Sequence, residues 1–364
     1  MPLARPPARV CLDIGTPYAV AVTDDGSGQP SALGRRRRPT IRDIAAEADV
    51  SKTLVGMILS GAPGPSQATA ERVLAVADRL GYRADRTAAS LARHRTRLIG
   101  VTNIPSNVFH GELVEQIQTL AAAEGYEVVL GSIINAQDER QAIETLIGFR
   151  CEAVLLLGPG TAPEELRLLA QDTTLVAVGS PIDLTTIDVV RADDDAGVQQ
   201  LVDHLAALGH RRIVHIDGAS ASASASVIRR DAYLAAMRRH GLPSDVIPGG
   251  LTESDGTRAA ARLDLSTVTA VVCFNDRCAV GVLDFLDAAG VSVPEQVSVT
   301  GYDDSLIARL QRISLTSVNQ SPTIQARLAL DMVIERLDGD RTESRNTVLP
   351  AHVVLRRSTG PCRL

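Results

Sequence analysis

Residues able to do chemistry are scattered along this chain, and few fall into patterns that would let them act together. GxSxG, Walker A, GxGxxG and HExxH patterns are absent, and the seven histidines show no ligand spacing. The five cysteines (Cys11, Cys151, Cys273, Cys278, Cys362) form no CxxC pair. The reading is of no catalytic centre, no metal site and no cofactor. One stretch stands apart, Thr40 to Gly81, where hydroxyls, a lysine and capping residues recur at helical spacing. Thr40 is a good N-cap, and Ile41, Ile44, Ala45 and Ala48 give a first helix its apolar stripe. Asp49-Val50 makes a turn. Ser51 then caps a second helix whose Leu54, Val55, Ile58 and Leu59 face inward, leaving Lys52, Thr53, Gly56 and Met57 to face out. Gly61 to Pro65 breaks the chain, Ser66 caps a third helix to Leu80, and Gly81 stops it. This is a helix-turn-helix pattern, whose second helix lies in the DNA major groove with its first residues at base edges.

Charge agrees. From Arg35 to Arg97, thirteen Arg or Lys stand against six Asp or Glu, a net of +7 in a chain of net −6. Lys52 is the one lysine in the sequence. A basic head on an acidic body suits a DNA-binding module joined to a ligand-binding domain. The 364 residues are enough for two or three domains, with a core built from Leu, Val, Ile and Ala because aromatics are scarce and tryptophan is absent. No apolar run approaches the ~20 residues that span a bilayer. The absence of a signal-peptide apolar region and the odd cysteine count point to a cytoplasmic protein with reduced thiols.

Residues 1–38 read as a disordered basic extension, with Arg35–Arg38 available for phosphates. Within them Asp13-Ile14-Gly15-Thr16 resembles the phosphate-loop hairpin of actin-like sugar kinases, but its second glycine is missing and no adenosine motif or catalytic aspartate follows. Residues 39–83 form the helix-turn-helix domain, and 84–97 a hinge helix (Asp85 to Leu91) with a basic linker. From Leu98 apolar strands alternate with amphipathic helices, predicted over Gly111–Glu124, Glu139–Gly148, Ala196–Leu208, Val227–His240 and Ala279–Ala289. Two such series predict two doubly wound lobes with parallel sheets, ligand binding falling at the carboxyl ends of the strands. The expected fold is thus a small all-α helix-turn-helix domain plus an α/β core of two parallel-sheet lobes.

The chain resembles the LacI-type transcriptional regulators, with a helix-turn-helix head, a hinge helix and a periplasmic-binding-protein-like core. The resemblance runs through TIRDIAAEADVS, YRADRTAASL, NVFHGEL, HLAALGHRRI, VVCFNDRCAVGVL, VPEQVSVTGYDD, SLTSVNQ and LPAHVVLRRST, over about residues 40–360. It implies a homodimer reading a near-palindromic operator, and a domain over 98–360 for effector binding and dimerisation. Lys52 and Thr53 then start the recognition helix, Lys52 suited to guanine O6/N7 and Thr53 to a base or a thymine methyl. Met57 stands where the family often has arginine and Gly56 where it has serine, which weakens polar readout there. Thr40, Ser51, Ser66 and Thr69 are placed for phosphates. In the hinge, Ala84 and Asp85 replace the family's Pro-Asn, while Ala88 and Leu91 match, making Leu91 the minor-groove wedge.

Three lobe crossings are implied near Val190, Val318 and Leu349. The effector cleft would draw on Phe109 and His110 from the first lobe, Arg229, Asn275 and Asp303 from the second, and Gln320 at a crossing. Asn275 and Asp303 suit hydroxyls, and Arg229 a polyol or carboxylate; Asp276 and Asp304 are expected to cap the helices after them. Ala232 replaces a usual glycine before Tyr233. Without tryptophan, a small polyol or acidic sugar is as plausible a ligand as a larger sugar. The resemblance implies a non-enzymatic regulator, a repressor in the family's usual sense, controlled allosterically by a sugar or related metabolite. The alternatives are a solute-binding protein, which would lack the basic head, and a nucleotide-dependent sugar-kinase-like protein, which would need a nucleotide site.

Overall fold

A computed structural model describes residues 39–59, 62–82, 95–134, 138–218 and 224–362. The chain divides into two units, one ending at Asp85 and the other beginning at Arg86. In the first, α1 (Ile41–Ala48), α2 (Lys52–Leu59) and α3 (Gln67–Leu80) enclose Ile44, Val55, Ile58, Val73, Val76 and Ala77. The Thr40 amide and hydroxyl both donate to the Asp43 carboxylate at 2.7 Å, fixing the start of α1. Asp49 ends that helix in the left-handed region (φ 52°), a conformation its short polar side chain tolerates. Ser51 Oγ accepts from the Leu54 amide at 3.2 Å, and Ser66 Oγ from the Thr69 amide at 3.3 Å. Gly81 closes α3 with φ 65°, and the Tyr82 amide reaches back to the Ala77 carbonyl. The helix limits predicted from capping residues are those observed.

The second unit holds two six-stranded sheets. The first is built from β1 (Leu98–Asn103), β2 (Glu127–Ser132), β3 (Ala153–Leu157), β4 (Thr174–Val178), β5 (Asp188–Ala192) and β11 (Asn346–Leu349), in the order β11-β5-β4-β3-β1-β2 and wholly parallel. The second contains β6 (Ile213–Asp217), β7 (Asp245–Pro248), β8 (Ala270–Cys273), β9 (Ser298–Asp303), β10 (Thr316–Asn319) and β12 (His352–Val354), in the order β12-β10-β9-β8-β6-β7. Its edge strand β12 runs antiparallel to β10, a departure from the all-parallel expectation. Helices α4 (Val108–Ala123), α5 (Glu139–Gly148), α6 (Pro163–Leu169) and α12 (Pro322–Leu337) belong to the first lobe. Helices α7 (Asp194–Ala207), α8 (Ser224–Arg239), α9 (Glu253–Ala260), α10 (Asp276–Ala288) and α11 (Leu306–Arg309) belong to the second.

The chain changes lobe after β5, after β10 and between β11 and β12, at the three places expected. Helix α12 was not anticipated. It follows β10 of the second sheet yet packs on α4 and on β4 and β5 of the first, with Ala326, Ala329, Leu330 and Val333 buried. Pro322 sits in its first turn, where a missing N–H costs nothing. Three predicted helices begin two or three residues early, at Val108, Asp194 and Asp276, because Asn107, Asp193 and Asn275 cap them. In both sheets the strand order reverses, between β1 and β3 and between β6 and β8, and the loops at those switch points frame the cleft.

Candidate functional site

On the head, Lys52 and Thr53 open α2 and are exposed, while Val55 and Ile58 one turn on are buried. Met57 is half-buried. The hydroxyls of Ser66 and Thr69 bond each other at 2.8 Å at the start of α3, and those of Thr40 and Ser51 are taken up in their own helix caps. Any phosphate contact there would be shared with capping. Leu91 and the rest of the hinge lie outside the described residues.

The six residues expected in the effector cleft come together. Phe109, His110, Arg229, Asn275, Asp303 and Gln320 all line a cavity of about 130 Å³, walled by both lobes. Joining them are Ile104, Asn107 and Leu113, the Gly158-Pro159-Gly160 loop after β3, Ser180 after β4, and Leu251 and Phe274. The rule that ligands sit beyond the carboxyl ends of strands could have found the Gly158 and Ser180 loops, and VVCFND could have given Phe274. Asn107 carries a different duty, since its Oδ1 accepts from the Phe109 amide at 3.0 Å and starts α4.

Each polar side chain has work within the protein as well. His110 Nδ1 accepts from the Ile104 amide at 3.1 Å. Burial lowers its pKa to about 4, so the ring is neutral at pH 7 and its proton sits on Nε2. That edge lies against Gly158 (φ 56°), where an added Cβ would come within 3.2 Å of Nε2. Arg229 Nε donates to Asp194 Oδ1 at 2.8 Å and Nη1 to the Phe274 carbonyl at 2.9 Å. Its guanidinium carbon lies 3.6 Å from the centre of the Tyr302 ring and 4.8 Å from that of Phe274. Burial opposes its charge, and Asp194, Tyr302 and Asp303 more than offset this. Arg229 therefore serves first to hold the cleft floor together. Gln320 Nε2 donates to Asp303 Oδ1 at 2.7 Å, and burial pushes the Asp303 carboxyl well above the usual range.

The expectation that Asp276 and Asp304 cap helices is corrected. Asn275 caps α10, its Oδ1 accepting from the Cys278 amide at 2.8 Å, while its Nδ2 donates to the Leu251 carbonyl at 3.1 Å. Asp276 lies inside that helix and accepts from the Ser305 amide and hydroxyl and from the Ser317 hydroxyl. Asp304 accepts from Asn319 and Arg356. Asp303 and Asp304 both have positive φ (110° and 49°), strain concentrated at the rim of the cleft. The arrangement offers hydroxyl-bonding groups between two phenylalanine rings, with the one guanidinium already matched by a carboxylate. Among the described residues no group of His, Cys, Asp and Glu could hold a metal ion, and no helix is long and apolar enough to cross a membrane.

Comparison with known proteins agrees with this geometry. The sequence profile of bacterial regulatory proteins of the lacI family matches residues 40–85, and that of the periplasmic binding protein-like domain matches residues 202–359. The HTH-type transcriptional regulator CelR of Thermobifida fusca is 30% identical over 340 residues, covering 90% of this chain and 100% of its own. Catabolite control protein A of Priestia megaterium is 28% identical over 334 residues, covering 88% of this chain and 99% of its own. Among solved structures, a LacI transcriptional regulator from a Rhodococcus species superposes with a TM-score of 0.68 at 42% identity, over 72% of this chain and 98% of that one. The lac repressor dimer bound to operator and the anti-inducer ONPF gives 0.77 at 23% identity, over 89% and 100%, a likeness of fold. The chain belongs to the LacI family of bacterial transcriptional regulators. It is a DNA-binding regulator under ligand control and not an enzyme.

Proposed function

We propose that this protein is a cytoplasmic homodimeric repressor that places one helix-turn-helix head on each half of a near-palindromic operator and releases or tightens its grip when a small neutral polyol or sugar enters the cleft. The observation that carries the reading is the pairing of two features: Lys52 and Thr53 exposed at the capped start of α2, and a largely apolar cavity walled by both lobes that carries a few polar side chains. Lys52 and Thr53 read base edges, Met57 makes an apolar contact, and Thr40, Ser51, Ser66 and Thr69 meet phosphates. Leu91 supplies the wedge at the operator centre. Phe109, His110, Arg229, Asn275, Asp303 and Gln320 form the effector site.

A neutral ligand is favoured over an acidic one because Arg229 is already paired with Asp194 at 2.8 Å, leaving no surplus positive charge among the lining residues. Operator binding is the first test. Purified protein is titrated onto DNA from its own upstream region and onto scrambled DNA at physiological salt. The native sequence is expected to bind tightly, and Lys52→Ala to weaken that binding roughly tenfold or more while leaving scrambled DNA little changed. Equal, weak binding to both DNAs by wild type and variant would sink the base-reading role.

A further inference from the structure

Two bridges join the lobes at the cleft mouth, and neither uses a residue expected in the effector site. Arg277, the second residue of α10, donates through Nε and Nη2 to the Glu253 carboxylate at the start of α9, the Nε bond measuring 2.7 Å. Its Nη1 crosses to the first lobe and donates to the Ser106 carbonyl, in the loop between β1 and α4. The neighbouring Asn107 lines the cavity, as does Asn275 two residues before Arg277. The second bridge runs the other way. Glu112 on α4 accepts from the Leu306 amide at 2.9 Å, at the start of α11. The preceding Ser305 amide donates to the buried Asp276 at 2.7 Å, so this turn is anchored to its own lobe while its next amide is held by the other.

We infer that Arg277 and Glu112 form a latch across the mouth of the cleft that sets how readily the lobes part, and thereby how freely a ligand exchanges. The inference rests on the reading of this cleft as the effector site. Glu253 fixes the guanidinium plane, so that Arg277 presents its remaining nitrogen in one direction instead of sampling solvent. A backbone carbonyl and a backbone amide are the groups engaged on the far sides, so the latch reads the position of the loops whatever their side chains. The two bridges share no residue: Arg277 touches neither Glu112 nor Leu306 among the hydrogen bonds described. One path between them is the relative motion of the lobes; the other, inside the second lobe, runs from Arg277 through its neighbour Asp276 to Ser305, beside Leu306.

That separation gives the test. Amide hydrogen exchange is followed on the full-length protein, without ligand, for wild type, Arg277→Gln, Arg277→Lys and Arg258→Gln. Arg258 pairs with Asp255 within α9 and serves as the control for losing an ion pair inside one lobe. Arg277→Gln is expected to speed exchange of the Leu306 amide about tenfold by raising the open population, with the Ser305 amide, held inside its own lobe by Asp276, and the β8 amides still protected. Arg277→Lys, which keeps the cation but cannot hold Glu253 and the Ser106 carbonyl at once, should give a smaller increase, and Arg258→Gln none. A Leu306 rate unchanged in both Arg277 variants, with β8 protected, would overturn the latch. Should the Gln variant fail to fold, the Lys variant decides alone. Because no ligand is added, a negative result leaves the effector reading standing, and failure to find an effector leaves the exchange result intact.

Discussion

His110 and His215 are buried (6% and 1% exposed), and burial brings the pKa of each to about 4. In the unfolded chain a histidine takes its proton near 6.5. The unfolded state therefore binds more protons between pH 6.5 and about 4, so stability is full above that window and falls as pH drops through it. The melting temperature of wild type is expected to fall between pH 7 and 5, and the fall to be shallower in His110→Asn, with His215, and His204 and His210, whose pKa burial also lowers, contributing to what remains; parallel profiles would refute the assignment. Asp188 works in the opposite sense. It is fully buried, and although burial opposes its charge, Arg341 and Arg336 and the Arg345 amide hold its carboxyl below the usual range. Its contribution is present above the ordinary carboxylate pKa and lost as pH falls through the lowered one. Removing it as Asp188→Ala takes a partner from the half-buried Arg336 and Arg341 and from the Arg345 amide, and should cost about 1–3 kcal/mol in urea unfolding. The identities of the cleft residues were legible through local motifs, but their internal partners were not. Asp194 and Arg229 are 35 residues apart, and nothing in either segment announces the pair.

At the scale of elements, α9 and α10 pack through facing glycines. A Cβ on Gly256 would meet the Cys278 carbonyl oxygen at 2.0 Å, and one on Gly281 would meet that of Glu253 at 1.9 Å. Backbone lies against backbone, and neither helix can yield without moving the capped start of α10 at the cleft. Gly281→Ala is therefore expected to lower stability by about 1–3 kcal/mol or more. Gly148→Ala, on an exposed turn of α5 with nothing within 4 Å, should be neutral or stabilising by up to about 1 kcal/mol. Denaturant midpoints of the two variants separate these outcomes, and equal shifts would contradict the close-packing account. The same contact explains why α9 escaped the sequence reading. ESDGTRAA has little apolar stripe to betray it, because its buried face is a glycine and two alanines. Helices with a capping Asx residue are legible, but their first turns are hard to see because Val108 to His110 and Asp276 to Cys278 begin before the apolar repeat is established.

For the whole molecule, the alternation of apolar strands and amphipathic helices carried the two-lobed architecture, and the charge contrast carried the division into head and body. The return of α12 to the first lobe was illegible locally. It depends on where β10 ends in space, and its sequence would serve equally on either sheet. Ligand control of DNA binding is a property of head and body together, and no single residue carries it. Its most direct test is the operator dissociation constant of the full-length protein, measured against a panel of neutral polyols and monosaccharides for wild type and for Asp303→Ala. At least one compound is expected to shift the wild-type constant by about 5- to 150-fold, in either direction, with the shift abolished in the variant. An operator affinity that no compound changes, or a shift that Asp303→Ala leaves intact, would contradict control from this cleft.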